Sequence, residues 1–320
     1  MRRRPIVAAL AAAALALAAC GSSGDDPAPG ASGALQKVDV GVIAIVDVAP
    51  IYLGQAKGFF RSRGIDLTLT TAQGGAAIVP GVLSGQFQFG FSNAISLLLA
   101  QSQKVPIKAV VNGNNSTGVA DADFGALFVK ADSPVKSPKD LAGKTVAANT
   151  LKNIVETTVK ASVKKDGGDA KAVKFTELAF PDQVPALQAG QVDAIFVVEP
   201  FQQAAIAAGA RRIASPYVDA APDLTVALYF TSQQLLASDS GLVSRFTEAM
   251  KESLTYADGH PEEVRQALGT YTKIPPETRD ALILPRWPAE VNTASIEALG
   301  KLAVEDGLLS QQPDVAALLP

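Results

Sequence analysis

The chain has 320 residues, of which 48% are hydrophobic, and its 31 aspartates and glutamates outnumber its 28 lysines and arginines. An acidic balance argues against nucleic acid and anionic membrane as partners, because both attract basic surfaces. The single cysteine and single histidine exclude a cysteine metal cluster and any site that needs two imidazoles.

The first twenty residues have the pattern of an export signal. Arg2, Arg3 and Arg4 precede an apolar, alanine-rich run at residues 6–17, and Ala18, Ala19 and Cys20 follow it. A positive region, an apolar region and small residues at a cleavage point are typical of a signal peptide. The terminal cysteine predicts a bacterial lipoprotein signal at residues 1–20, with lipid on the Cys20 thiol. A transmembrane anchor is the alternative, but the run is shorter than the ~20 apolar residues that span a bilayer.

Residues 21–35 are expected to form a flexible tether, because residues 21–33 contain no aromatic or β-branched side chain and cannot bury enough apolar surface to fold. Lipid on Cys20 would leave the folded part without a thiol nucleophile or a disulfide. Loss of the three signal arginines would leave 25 basic and 31 acidic residues, a charge near −6. The expected location is the outer face of the cytoplasmic membrane or the periplasm.

From Lys37 onward, the pattern alternates between strands and helices. Alternating or β-branched runs predict strands at residues 38–43, 65–70, 87–91, 107–111, 126–129, 145–148, 193–198 and 225–230. Helical spacing predicts helices at residues 51–63, 77–84, 94–101, 139–144, 154–165, 183–189, 201–209, 242–257, 261–270, 276–282 and 294–305. This alternation with short glycine-containing loops predicts two similar α/β blocks with parallel sheets, followed by a helical C-terminal part.

Five segments of the sequence resemble, in the same order, the binding proteins for aliphatic sulfonates, taurine, nitrate and thiamine-pyrimidine precursors that serve bacterial ABC importers. The ordered set is specific for this family but not for its ligand. The segments are residues 47–60, 64–67, 83–86, 137–144 and 188–201.

The resemblance implies an α/β fold, the two-lobed clamshell of type II periplasmic binding proteins. Each lobe would be a central sheet flanked by helices, and two crossing hinge strands would join them. Residues 36–123 with 224–320 would form the first lobe, and residues 124–223 the second. The lobes would close by hinge motion over a small-molecule ligand. The other expected partners are the transmembrane subunits of an ABC permease and, through Cys20, the membrane. A monomer is expected.

Candidate ligand-binding residues follow from general physical chemistry. In open α/β sheets, ligands bind beyond the carboxyl ends of strands, where helix N-termini present unpaired N–H groups. Asp47 either faces the cleft or caps the next helix, and Ser92 and Asn93 either bind ligand or cap. Gly74 and Gly75 either let the backbone approach a ligand or only form a turn. The full set is Asp47, Gln73, Gly74, Gly75, Ser92, Asn93, Asn112, Asn149, Thr150 and Glu199.

Two of these candidates stand apart in their setting. Asn112 follows a predicted strand near the expected hinge, in a run that is either a source of amide contacts or a plain polar loop. Glu199 follows the apolar run 195–198 and therefore ends a buried strand, where a carboxylate needs a partner. That partner is either a cationic or hydrogen-bond-donating group of the ligand, or a salt bridge across the lobes, unless the side chain is exposed to solvent. If the ligand bears an amine, Glu199→Gln should weaken its binding about tenfold or more in calorimetry.

The candidates contain no arginine, the side chain that usually binds a dianion in a bidentate manner. This favours a neutral, zwitterionic or amine-bearing molecule over free nitrate or sulfate. The expected function is a solute-binding lipoprotein of an ABC importer, and a sensor module that docks to a membrane receptor is the alternative. An enzyme similar to thiamine-pyrimidine synthases is disfavoured. Those enzymes carry a cysteine-rich motif, whereas the matching residues 196–200 contain no cysteine. No phosphate loop or metal-ligand cluster occurs, so neither a cofactor nor a metal is expected.

Overall fold

Two five-stranded sheets dominate the computed structural model, which describes residues 34–319. Cys20 and the predicted signal peptide therefore lie outside the described residues. The strands are β1 (Gln36–Val42), β2 (Ile65–Thr71), β3 (Phe89–Asn93), β4 (Ile107–Asn115), β5 (Gly125–Val129), β6 (Thr145–Ala148), β7 (Lys174–Glu177), β8 (Ala194–Val198), β9 (Arg211–Ala214) and β10 (Thr225–Ser232).

The two sheets have matching layouts. The first sheet has the strand order β2-β1-β3-β10-β4, and the second has the order β7-β6-β8-β5-β9. Half of the neighbouring pairs are parallel, whereas β10 runs antiparallel to β3 and β4, and β5 runs antiparallel to β8 and β9. The sheets are therefore mixed, and the prediction of parallel sheets was wrong in this respect. Both antiparallel strands follow a crossing from the other sheet, so they enter their own sheet from the opposite end.

Helices flank both sheets, as expected. They are α1 (Ala49–Lys57), α2 (Gly75–Leu83), α3 (Ala94–Ser102), α4 (Ile154–Lys165), α5 (Phe180–Gln188), α6 (Phe201–Ala207), α7 (Pro216–Ala220), α8 (Gln233–Ser238), α9 (Ser240–Gly259), α10 (Pro261–Tyr271), α11 (Pro276–Arg279), α12 (Thr293–Glu305) and α13 (Val315–Leu318). The C-terminal helices return to the first sheet, since α9 and α10 pack on α1 while α12 and α13 pack on α3. No helix within residues 34–319 is long and apolar enough to cross a bilayer.

Several predicted elements differ from the structure. The helix predicted at residues 139–144 is a short 3-10 helix, Pro138–Leu141. The helix predicted at residues 51–63 ends at Lys57, because Gly58 adopts a left-handed conformation with φ of 81° and closes it. The helix predicted at residues 276–282 is the short α11. The strand predicted to end at residue 111 continues to Asn115, because β10 pairs with this polar run. Asn112 therefore lies within a strand, and the polar-loop alternative was wrong.

Two segments, residues 116–124 and 215–224, connect the sheets and run side by side. The Ser116 N–H donates to the Leu224 carbonyl at 2.8 Å. The buried Asp123 carboxylate accepts hydrogen bonds from Ser116 Oγ at 2.9 Å and from the Thr117 N–H at 2.8 Å. Burial raises the pKa of Asp123 above its usual value. The Ser116–Leu224 bond joins the two crossings, and the Asp123 bonds hold the first crossing together. Below, the first-sheet side means the first sheet with α1–α3 and α8–α13, and the second-sheet side means residues 125–214.

Candidate ligand-binding site

A small cavity lies between the two sheets, at the carboxyl ends of β1, β3, β6 and β8, and is called the inner cavity. Its volume is about 30 Å³, which suits one or two water molecules. A small organic ligand would therefore require the two sides to move apart. Its lining residues are Ile43, Ile45, Asp47, Phe91, Asn93, Val226 and Ala227 on the first-sheet side, with Asn149, Ile154, Val155, Phe180, Val198 and Tyr217 opposite.

Among the described residues that line the inner cavity, Asp47 is the one acidic residue, and none is basic. Its Oδ1 accepts a hydrogen bond from Asn114 Nδ2 at 3.0 Å, whereas its buried Oδ2 has no partner among the described residues. Burial raises the pKa of Asp47 to about 7, against the lowering effect of hydrogen bonds from its own backbone and Asn114. The N-cap of α1 is Val48, and no side chain caps that helix. Of the two alternatives for Asp47, the geometry therefore favours the cleft over helix capping.

Ser92 and the two glycines lie together at the start of α2. Ser92 is fully buried in β3, and its Oγ has no partner among the described residues. Gly75 packs on it so closely that a Cβ there would lie 2.6 Å from Ser92 Cα. No side chain caps α2, so the first N–H groups of that helix have no side-chain acceptor. Gly74 has an ordinary extended backbone conformation. Close packing, and not an unusual backbone conformation, is therefore the reason for a glycine there.

Gly74 also lies at a point where the two sides approach each other closely. A Cβ at this position would lie 2.7 Å from Thr150 Cγ2 and 3.3 Å from Asn149 Nδ2, both on the second-sheet side. Asn149 lines the inner cavity, and its Oδ1 accepts a hydrogen bond from Asn153 Nδ2 at 3.1 Å. Thr150 Oγ1 accepts from the same amide at 2.7 Å. The side chain of Asn153 thus positions both residues at the start of α4.

The remaining candidates are placed differently. Asn93 lines the inner cavity but also caps α3, since its Oδ1 accepts a hydrogen bond from the Ser96 N–H at 2.9 Å. Gln73 is exposed next to Gly74. Asn112 does not line the inner cavity, and its Nδ2 donates to Asn115 Oδ1 at 3.1 Å and to the Pro288 carbonyl at 2.8 Å. The structure thus places Asp47, Asn93 and Asn149 in the lining of the inner cavity. It brings Gly75 against Ser92 and Gly74 against Thr150 and Asn149, and it leaves Gln73 and Asn112 outside the lining.

Glu199 bridges the two sides and does not line the inner cavity. Its buried Oε1 accepts hydrogen bonds from the Ile283 N–H and from Gln203 Nε2, both at 3.1 Å. The same Gln203 amide donates to the Ala281 carbonyl at 3.0 Å. The Glu199 carbonyl accepts a further bond from the Val46 N–H at 3.0 Å. These contacts resemble the predicted salt bridge across the lobes, with hydrogen bonds in place of an ion pair. A contact between Glu199 and a ligand stays a prediction.

Glu199→Gln separates these two roles. Burial raises the pKa of Glu199 from 4.5 to about 7. The stability that the protonated carboxyl provides is therefore complete below pH 4.5 and is lost as the pH rises through 7. Glutamine stays neutral and can still accept from Ile283, so the variant should be more stable than the parent at pH 8, by up to roughly 3 kcal/mol. Urea unfolding at pH 5 and pH 8 measures this gain, which should shrink at pH 5.

The exposed Glu297 provides the control, and Glu297→Gln should leave the pH dependence unchanged. A bridging Glu199 predicts that Glu199→Gln changes ligand affinity by less than about threefold, whereas a contact with a ligand amine predicts a loss of about tenfold or more. Equal stability of variant and parent at both pH values would contradict the assigned burial of this carboxylate.

Three further residues at the site received little weight from the sequence. Asn114 holds Asp47 Oδ1, and Trp287 Nε1 donates to the Asp47 carbonyl at 3.1 Å. Tyr217 lines the inner cavity from the second crossing segment, and burial with the nearby Asp47 and Asp123 raises its pKa well above 10. Asn114 belongs to the polar run that had suggested amide contacts. Trp287 and Tyr217 reach the site only through tertiary folding, and no local pattern marks them.

Comparisons with known proteins agree with this architecture. The profile of the family described as NMT1/THI5 like matches residues 45–264. The alkanesulfonate-binding protein SsuA from Xanthomonas axonopodis pv. citri, solved with bound MOPS, superposes with a TM-score of 0.73 at 18% identity, over 89% of this chain and 98% of that one. The expected fold, two helix-flanked sheets of the periplasmic-binding-protein type, is confirmed.

Sequence relatives include binding proteins and enzymes. The taurine-binding periplasmic protein of Escherichia coli K12 is 28% identical over 166 residues, which are 52% of this chain and 49% of that protein. The 4-amino-5-hydroxymethyl-2-methylpyrimidine phosphate synthase THI5 of Saccharomyces cerevisiae is 26% identical over 98 residues, 30% of this chain and 27% of the enzyme. The matches thus span about half and about a quarter of these relatives. Since the family profile covers more than half of its residues, the chain belongs to the NMT1/THI5-like family.

Proposed function

We propose that the chain is the extracytoplasmic solute-binding lipoprotein of an ABC importer. It captures a small polar organic molecule between its two sheets, and this molecule is neutral, zwitterionic or amine-bearing, such as a taurine-like, sulfonate or pyrimidine-type compound. One observation carries the proposal: Asp47 Oδ2 in the lining of the inner cavity and Ser92 Oγ against Gly75 are buried and have no partner among the described residues. Buried polar atoms without partners are costly, and a bound ligand would satisfy them.

The chemistry around the inner cavity suits a ligand with a donor at one end and an acceptor at the other. Asp47 accepts, and therefore favours an ammonium or another N–H group. The uncapped start of α2, with the Ser92 hydroxyl beside it, favours an acceptor or an anionic group. Apolar and aromatic side chains, including Phe91 and Phe180, form the walls between them. A zwitterion such as taurine meets both requirements without an arginine.

Capture would proceed by closure of two lobes. The lobes of this proposal are residues 36–123 with 224–320, and residues 124–223, and the paired crossings at residues 116–124 and 215–224 act as the hinge. The size of the inner cavity supports this division, because about 30 Å³ is too small for an organic ligand to enter without separation of the sides. Asn149 and Thr150 would then meet Gly74 only in the closed form.

The lipid anchor is part of the proposal and has its own test. Acyl chains on Cys20 and the tether at residues 21–35 would hold the binding protein near its permease and raise its local concentration there. Cys20→Ser should move the protein from the membrane fraction to the soluble fraction, while ligand affinity stays the same. Fractionation of cells expressing the full chain measures the first effect and calorimetry the second. Retention of the variant on membranes would contradict lipidation at Cys20.

Binding without catalysis is also proposed. The single histidine, His260, stacks on Tyr256 with ring centroids 3.8 Å apart and does not line the inner cavity. The single cysteine belongs to the signal segment. His260 is therefore not placed to act on a ligand in the inner cavity, and the proposed lipid would block the Cys20 thiol, which supports a transport role over a synthase role.

Native mass spectrometry of gently purified protein tests the function, because a captured solute should appear as a discrete added mass. Calorimetry with taurine and with ethanesulfonate, which lacks the amine, then tests the role of the donor end. The proposal expects taurine to bind more tightly than ethanesulfonate. Tighter binding of ethanesulfonate would overturn the role of the donor end, and turnover of the captured compound would overturn the transport function.

A further inference from the structure

We propose that a second cavity, the outer cavity, binds a flat ring compound that is uncharged or anionic, and that its occupant holds the two sides together. The outer cavity has a volume of about 580 Å³, within the range of small-molecule sites. One wall is α6, with Phe201, Ala204 and Ala207. The facing wall is the segment after α10, with Tyr271, Ile274 and Pro275.

The two aromatic rings of the outer cavity are held in place from behind. Phe201 stacks on Phe180 with centroids 5.7 Å apart and planes 16° apart. Tyr271 stacks on Tyr52 with centroids 3.8 Å apart and planes 7° apart, and its hydroxyl donates to the Ile45 carbonyl at 3.0 Å. Fixed rings lose little conformational freedom when they contact a ligand, and they favour a planar partner. The flanking prolines and alanines add flat apolar surface.

The charges around the outer cavity narrow the class of compound that can bind there. Lys273 is exposed at the edge of the outer cavity, and within residues 34–319 it forms no ion pair. No aspartate or glutamate lines the outer cavity. A cation would therefore meet repulsion without a counter-charge, whereas an anionic or acceptor group at the edge of a ring would meet an ammonium.

The outer cavity is distinct from the inner one. The two share no lining residue, since Ile43 and Ile45 line the inner cavity while Ala44 lines the outer. The walls of the outer cavity come from both sides of the molecule and therefore exist only when the sides are together. Gln203 lines it and also forms the bridge from Glu199 to the Ala281 carbonyl. A molecule that binds only the joined arrangement shifts the equilibrium towards it, so occupancy of the outer cavity would favour ligand capture in the inner one.

Fluorescence titration with 1-aminoanthracene, a neutral planar dye, tests the site. The parent should bind one dye per chain with saturation. Ala204→Trp fills the cavity and should weaken dye binding about tenfold or more, whereas Ala208→Trp at the exposed end of α6, outside the cavity, should not. Ala207→Trp provides a second cavity-filling variant if Ala204→Trp lowers the unfolding temperature. The anionic dye 8-anilinonaphthalene-1-sulfonate should lose affinity several-fold in Lys273→Gln, while 1-aminoanthracene should not.

Three outcomes overturn the proposal. They are absence of saturable dye binding to the parent, equal loss in the cavity-filling and control variants, and one dye per two chains, which would assign the cavity to a contact between copies. The coupling has a separate readout. Saturating 1-aminoanthracene should tighten the binding of taurine, or of the solute found by mass spectrometry, in the parent but not in Ala204→Trp. Unchanged affinity for that solute would contradict the coupling between the two cavities, but it would not contradict the binding of a ring compound in the outer cavity.

Discussion

Asp47→Asn is expected to stabilise the ligand-free protein at pH 8 and, in the same variant, to destroy most of its affinity for an amine-bearing ligand. The two effects share one cause, the burial of a carboxylate whose Oδ2 lacks a protein partner. Asparagine keeps an oxygen that can accept from Asn114, and its neutral amide needs no counter-charge. A gain in stability with a loss of function distinguishes a binding residue from a structural one.

The sign of the stability effect follows from proton linkage. Burial raises the pKa of Asp47 from 3.8 to about 7, so the folded protein binds a proton more tightly than the unfolded chain. The stability that the protonated Asp47 carboxyl provides is complete below pH 3.8 and is lost as the pH rises through 7. Ionisation thus costs the parent on the order of 4 kcal/mol at pH 8, which Asp47→Asn avoids. Urea unfolding between pH 5 and pH 8 should show a much flatter profile for the variant.

The affinity effect is specific to the donor end of the ligand. Removal of one partner of a buried charge pair costs about 2 kcal/mol or more, which is about thirtyfold in affinity. Calorimetry should therefore show a large loss for taurine and little change for ethanesulfonate. Asp66→Asn, at an exposed position of β2, is the matched control and should change neither quantity. Equal losses for both compounds would show that Asp47 shapes the site without contacting the amine.

Gly74→Ala is expected to hold the two sides apart without unfolding either of them. The added Cβ would lie 2.7 Å from Thr150 Cγ2, closer than real Cβ contacts, and Gly74 needs no special backbone conformation. The strain therefore falls on the closed arrangement, and ligand affinity should drop about tenfold or more. Small-angle scattering with saturating ligand should show compaction of the parent and a smaller change in the variant.

Thr150→Ser tests the mechanism by rescue. Serine lacks the Cγ2 methyl group but keeps the hydroxyl that accepts from Asn153 Nδ2. The double variant should regain most of the lost affinity, whereas Thr150→Ser alone should bind like the parent. Gly259→Ala, where no atom lies within 4 Å of the added Cβ, is the glycine control. If Thr150→Ser does not restore the affinity, the loss of ligand affinity in Gly74→Ala must come from a change at the start of α2 and not from contact between the sides.

Local signals account for what the sequence predicted well. Helix α4 has the predicted bounds because Asn153 caps its start and Gly167 lies just beyond its end. The end of β4 was missed because the polar run at residues 112–115 becomes a strand only when β10, more than a hundred residues later, pairs with it. Asp47 and Ser92 became candidates because both follow predicted strands, and the structure shows that both are buried with a polar atom that lacks a partner among the described residues. Tyr217 lies in the second crossing segment and Trp287 in the C-terminal part. Their positions near the site depend on the tertiary fold, which local periodicity does not predict.

The insertion of β10 between β3 and β4 determines the order in which the molecule can form. A chain synthesised as far as Ala214 contains every strand of the second sheet, but the first sheet still lacks its fourth strand in space. β2, β1 and β3 can pair with one another, whereas β4 must wait for a segment more than a hundred residues behind it. Such long-range pairing is slow, so the first sheet is expected to be completed after the second.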